Sequence, residues 1–274
     1  MQIPSSNHPL IMGIVNLTPD SFYSNCRNDS DEIIKEINNH YSDIIDIGCE
    51  SSRPGARPVC EKEELSRLTK FLNNKDHLTK VLSIDTYKPS VARFALENGF
   101  NMINDIKSGD SNNLMLNLAA EYDCPIVLMH MQGNPETMQI NPYYDDIMGD
   151  IISFFDKKLS IAQSLGIKED KLILDPGIGF GKCVADNDTI LQNLHKLKQF
   201  NHPILIGLSR KSFLSVHGDG AESRLSATIG ATVLAMQNGA DILRVHDIEE
   251  TYKVKTIIKR ISKQPQEDTK IVYN

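Results

Sequence analysis

Residues 81–104, VLSIDTYKPSVARFALENGFNMIN, hold one repeat of the fold. An apolar run at 81–84 ends at a carboxylate, Asp85. Pro89 then stands where the first turn of a helix tolerates a missing N–H. Apolar residues recur at helical spacing over 90–98, Gly99 stops the helix, and a second apolar run at 102–103 ends at Asn104. Both runs are apolar on successive residues instead of alternating, which predicts parallel strands covered on both faces.

The same unit recurs in both directions. Further strand-like runs lie at 11–15, 44–47, 126–129, 172–174, 204–208 and 242–245, and helix-like stretches at 31–40, 61–73, 112–122, 146–165, 188–199, 223–238 and 248–262. Gly166 and Gly239 supply stop signals, and Asp188 is read as a helix start. Eight strands alternating with eight helices in units of about 30 residues predict an α/β fold, a single (β/α)8 TIM barrel with its active site at the C-terminal ends of the strands. A doubly wound open sheet is the structural runner-up. With no linker or composition break, residues 1–274 are expected to form one domain with a polar tail from about 263.

Composition narrows the function. The chain has 274 residues, 40% hydrophobic and 24% charged, and 29 basic against 36 acidic side chains give a net charge of −7. No basic block suits nucleic acid or an anionic membrane, so an anionic ligand must meet a local cluster that runs against the overall charge. No apolar run approaches the roughly 20 residues that span a bilayer, and residues 1–16 carry no Lys or Arg ahead of their apolar stretch, unlike a secretory signal. Five cysteines without a C-x-x-C pair argue against a disulfide framework or zinc site. A cytoplasmic enzyme is expected.

The residues that follow the apolar runs are Asn16, Glu50, Asp85, Asn104, His130, Asp175, Ser209-Arg210-Lys211 and His246. Asp85, Asn104 and Asp175 directly follow hydrophobic residues and should be at least half buried, where a carboxylate needs donors. No basic residue adjoins Asp85 or Asp175, so either a ligand rich in N–H groups supplies those donors or each carboxylate caps a following turn. The segment DPGIGFGK (175–182) is neither a Walker A loop, since Pro176 stands at its first glycine and Cys183 follows the lysine, nor a dinucleotide fingerprint. Its alternating glycines suit close approach of a flat ligand to backbone. Arg244 and His246, two apart at the eighth strand, together with Ser209 to Ser212 after the seventh, are placed where barrels bind phosphate. Arg244 alone could equally pair with a neighbouring carboxylate.

Seven segments in order, MGIVNLTPDSF (12–22), DIGCESSRPGA (46–56), SIDTYKP (83–89), INDI (103–106), DPGIGFGK (175–182), GLSRKS (207–212) and RVHD (244–247), make the chain resemble the dihydropteroate synthases, the sulfonamide-inhibited pterin-binding barrels of folate biosynthesis. The resemblance implies a transferase that joins 6-hydroxymethyl-7,8-dihydropterin diphosphate to 4-aminobenzoate with Mg²⁺ as helper, usually as a homodimer through late helices; residues 227–236 are apolar enough for that. It assigns the pterin to Asp85, Asn104, Met129, Asp175, Phe180 and Lys211. The diphosphate falls to Asn16, Arg53, Arg244 and His246, with Asn16 also the Mg²⁺ ligand. Aminobenzoate falls to Phe22, Ser52, Pro54 and Ser212, and the chemistry to Asp85, Lys211, Arg244, His246 and Arg53.

The chain departs from the family's usual pattern at Tyr23-Ser24-Asn25-Cys26, Cys49, Ser52 and Ile178. The altered first loop keeps open a catalytically silent pterin-binding paralogue. A methyltetrahydrofolate–corrinoid methyltransferase would share the Asp and Asn contacts but needs neither the Ser-Arg-Pro-Gly-Ala loop nor the Arg-x-His pair.

Overall fold

The computed structural model describes residues 8–17, 41–50, 58–73, 79–109, 112–135, 137–218 and 220–262. Its strands are β1 (Leu10–Asn16), β2 (Ile44–Gly48), β3 (Val81–Asp85), β4 (Met102–Asp105), β5 (Ile126–Met129), β6 (Leu172–Asp175), β7 (Leu205–Ile206) and β8 (Ile242–Val245). All are parallel, in the order β6-β5-β4-β3-β2-β1-β8-β7, so each strand neighbours the next in sequence and β1 meets β8. A parallel bridge between Leu174 and Ile204 brings β7 against β6. That order has no reversal point, which a doubly wound sheet requires. The sheet is a barrel.

The helices among the described residues are α1 (Glu61–Leu72), α2 (Pro89–Glu97), α3 (Leu114–Glu121), α4 (Ile147–Ser164), α5 (Val184–Asn193), α6 (Leu225–Gln237) and α7 (Ile248–Ser262). One follows each strand from β2 to β8. The helix expected at 31–40 and the tail from 263 lie outside the described residues. None of the described helices is long and apolar enough to cross a membrane.

Two different cores explain why the strands read as unbroken apolar runs. One set of side chains, such as Ile45, Ile47, Ile84, Ile103, Leu128, Leu174 and Val245, packs outward on the helices against Val91, Met115, Ile151 and Phe155. The alternate set, Leu10, Met12, Ile44, Met102, Val127, Ile173, Leu205 and Ile242, packs with Val81 inside the barrel. Period two is present in each strand, but both faces are dry.

Most helix boundaries fall within two residues of the sequence expectation, and the largest difference is at α5. Asp188 does not start a helix; α5 begins at Val184, and the Asp186 carboxylate accepts from the Cys183 N–H at 2.8 Å. Cysteine is a weak capping residue, so the start signal came from the acid three residues later instead. Beyond Asn193 the chain tightens into a 3-10 helix, Leu194–Phe200.

Candidate active site

Two residues beyond the apolar floor of the barrel, the same strands turn polar. Ile44 leads to Asp46, Met102 to Asn104, Ile173 to Asp175 and Ile242 to Arg244, each pair on one face of its strand. Register aligns Asn16 with Gly48, Gly48 with Asp85, and Asp85 with Asn104, one row across β1 to β4. Gly48 leaves that row open: a Cβ there would lie 3.5 Å from Asp85 Oδ2 and 3.7 Å from Asn16 Oδ1. Asn16 and Asp85 therefore face a common point across β2.

Arg244 ties this side together. Its Nε donates to Asp46 Oδ2 at 2.7 Å and its Nη2 to Asp85 Oδ2 at 2.5 Å, while Asn104 Nδ2 donates to Asp46 Oδ2 at 2.9 Å. Of the two roles left open for Arg244, the structure realises carboxylate pairing. The premise that Asp85 lacks a donor is corrected with it, because the donor arrives from a strand 159 residues away. Asp46 is fully buried, and its Oδ1 has no hydrogen-bond partner among the described residues. Sequence reasoning did not single it out, since it looked at the residue after each apolar run. The signal was there: a carboxylate between Ile45 and Ile47, inside a strand predicted to be covered on both faces.

Across the barrel, Asp175 Oδ1 accepts from the Gly177 N–H at 2.7 Å. This is the turn-capping reading of Asp175, and it is compatible with a ligand on the same carboxylate. Lys211 donates to the Ile178 carbonyl, and its amine stands 4.7 Å from the centre of the Phe180 ring. Met129, buried at the end of β5, registers opposite Asp175. The loop 176–181 needs its glycines here: at Gly177, φ is +70° and a Cβ would meet the His130 carbonyl at 1.9 Å.

Burial sets the electrostatics. It pushes Asp85 up to about 7, with Arg244 opposing and Asp46 adding to the rise. Asp175 is also raised by burial, against the pull of Lys211, the Gly177 N–H, Lys182 and Arg244. Lys211 is brought down to about 8 by burial despite Asp175. For Arg244 burial works against the cation, but Asp46 and Asp85 more than reverse it. Asp85 and Lys211 thus titrate close enough to neutral pH for a ligand's donors or charges to decide their protonation, whereas Arg244 stays a cation.

His246 is exposed, with Nδ1 3.1 Å from Ser209 Oγ, beside an ion pair from Arg210 to Asp247. Ser212 is exposed too, and the helix start suggested for it is a three-residue 3-10 turn, Ser212–Leu214, too short to carry a useful dipole. Phe22, Ser52, Arg53 and Pro54 lie outside the described residues. At the rim, Lys88 donates to both Glu50 and Glu64, joining the end of β2 to the first turn of α1. No group of three or more His, Cys, Asp or Glu among the described residues is placed to hold a metal ion.

Comparison with known proteins agrees with this arrangement. The model of the pterin binding enzyme family matches residues 12–246. The Escherichia coli K12 dihydropteroate synthase is 40% identical over 259 residues, 92% of either chain. The Yersinia pestis dihydropteroate synthase, solved with a sulfonamide drug, superposes with a TM-score of 0.87 at 38% identity, covering 95% of this chain and 99% of that one. The Xanthomonas albilineans dihydropteroate synthase in complex with 7,8-dihydropteroate gives 0.80 at 33% identity, covering 94% and 95%. With the strand-end residues of its sequence assembled in one barrel mouth, the chain belongs to the dihydropteroate synthase family of pterin-binding enzymes.

Proposed function

We infer that the chain condenses 6-hydroxymethyl-7,8-dihydropterin diphosphate with 4-aminobenzoate, giving 7,8-dihydropteroate and pyrophosphate. The observation that carries the site is the facing pair Asp175 and Lys211 beside Phe180: a buried carboxylate to accept from the pterin's amino and ring N–H groups, a half-buried ammonium to donate to its oxygen, and a ring to stack on. Asp85 and Asn104 meet the opposite edge. In the reaction the amine nucleophile is already neutral, so no strong base is needed. The demanding step is cleavage of the carbon–oxygen bond to diphosphate, which leaves positive charge on the reduced pterin's exocyclic methylene. Asp85, ionised once a cationic pterin lies beside it, stabilises that charge, and Arg244, His246 and Arg53 hold the departing diphosphate.

Mg²⁺ fits the donor set, since Asn16 Oδ1 offers one hard oxygen at the mouth and Mg²⁺ draws most of its ligands from phosphate and water. Bound there, it would neutralise charge on the leaving group. We place the enzyme in the cytoplasm, in keeping with the free thiols of Cys49, Cys60, Cys124 and Cys183. A homodimer through α6 is supported by that helix's apolar sequence, of which only Thr228, Thr232 and Ala235 are buried while Leu234 is exposed; sedimentation at micromolar concentration should give twice the monomer mass.

The assay is pyrophosphate and dihydropteroate formation with both substrates. Aminobenzoate-dependent product, inhibited by a sulfonamide, is expected. Release that never depends on aminobenzoate would defeat the reading; pterin binding without turnover would favour the silent paralogue, and methyl transfer to a corrinoid the methyltransferase. Positional isotope scrambling in the diphosphate without aminobenzoate is expected for dissociative cleavage.

A further inference from the structure

Lys182 stands where a nucleotide loop would carry its phosphate-binding lysine, yet its side chain turns inward. It is 3% exposed, and its Nζ donates to the carbonyls of His130 and Phe180, both at 3.0 Å. His130 is the first residue past β5 and Phe180 lies on the glycine loop past β6, so one amine joins two strand ends. The junction is tight on both sides. A Cβ at Gly181 would meet the Gln132 carbonyl at 2.4 Å, Tyr144 Oη donates to the Gly181 carbonyl at 2.9 Å, and the His130 N–H donates to the Asp175 carbonyl at 2.9 Å. Lys211 holds the same loop from its other side through the Ile178 carbonyl. The loop that presents Phe180 is therefore gripped by two lysines, with Asp175 between them.

We propose that Lys182 is a positioning residue for the pterin, fixing Phe180 through its carbonyl and keeping Asp175 ionised across the loop. The inference rests on the function proposed above. Asp175 is faced by Lys211, Lys182 and Arg244, and Lys182 by Asp175, Lys211 and Asp186, with the His130 ring beside it neutral at working pH. Burial brings Lys182 itself down to about 7, so its charge reaches Asp175 chiefly in mildly acidic solution. Removing that charge lets Asp175 take up a proton at higher pH, where it no longer accepts from the pterin.

The test is steady-state kinetics of Lys182→Met and Lys182→Gln from pH 5.5 to 8.5, on variants whose melting shows that they fold. For both, the KM for the pterin diphosphate should rise about tenfold or more while that for 4-aminobenzoate stays within about twofold. The acid limb of kcat/KM for the pterin should move to higher pH, and Asp175→Asn should abolish that movement. Equal rises in both KM values with an unmoved pH profile would show a merely structural lysine and overturn the proposal. If neither variant folds, Asp186→Asn, which removes a carboxylate facing Lys182, should shift the acid limb, and an unshifted limb overturns it. A wild-type chain that makes no dihydropteroate would instead overturn the function on which the proposal rests.

Discussion

The barrel interior has two ends built by the same strands, two residues apart, and they are opposites. The floor is a plug of Leu10, Met12, Ile44, Met102, Val127, Ile173, Leu205 and Ile242, with no charge in it. The mouth sets Asp46, Asp85 and Asp175 against Arg244, Lys211 and Lys182, all buried or half buried. A floor of this kind is stabilising, at about 1.5–3 kcal/mol for each large side chain taken from water. A mouth of this kind is not, because desolvating ions costs at least as much as their pairing returns. Charges kept in so expensive a place point to a ligand as their reason, and the floor is what makes the barrel stable enough to hold them.

The sharpest way to break that contrast is at Arg244. Arg244→Met leaves Asp46 and Asp85 buried without their cation, and urea unfolding should show a loss of about 3–5 kcal/mol together with loss of activity. A change under about 1 kcal/mol would mean that the mouth is far wetter than its burial implies. Met102→Ala, on the floor, should cost about 2–5 kcal/mol while leaving both substrate KM values within about twofold; a large change in KM would erase the distinction between the two ends.

Asp175→Asn should invert the pattern. Stability should hold or rise slightly, since a buried charge is removed, while the KM for the pterin diphosphate rises about 10- to 100-fold. The smallest effect lies just behind the mouth, at His130. Burial takes its imidazole down to about 3 from an ordinary 6.5, so between those values the unfolded chain binds the extra proton and stability falls as the pH falls. His130→Phe, which keeps ring contacts with Phe154 and Tyr144, should flatten that slope in thermal melts, and an unchanged slope would place the acid sensitivity elsewhere.

The barrel was legible because most of its strands are short, largely apolar runs closed by a polar residue, and Asp85, Asn104 and Asp175 follow that rule. What pairs with what was not legible. Arg244 reaches Asp46 from 198 residues away, a distance at which local spacing carries no information. Asp46 itself was hidden because it interrupts an apolar run instead of ending one, and α5 because its start depends on an acid at its third residue. Lys182 was visible only as a failed nucleotide motif; that its amine turns inward is a property of the packed loop.

The most direct measurement is a crystal structure of the chain with 7,8-dihydropteroate. The pterin should lie in the barrel mouth, with its amino and ring N–H groups on the Asp175 carboxylate, its oxygen toward Lys211 and its ring against Phe180. A pterin bound outside the mouth, or one in it that touches neither Asp175 nor Lys211, would contradict the account.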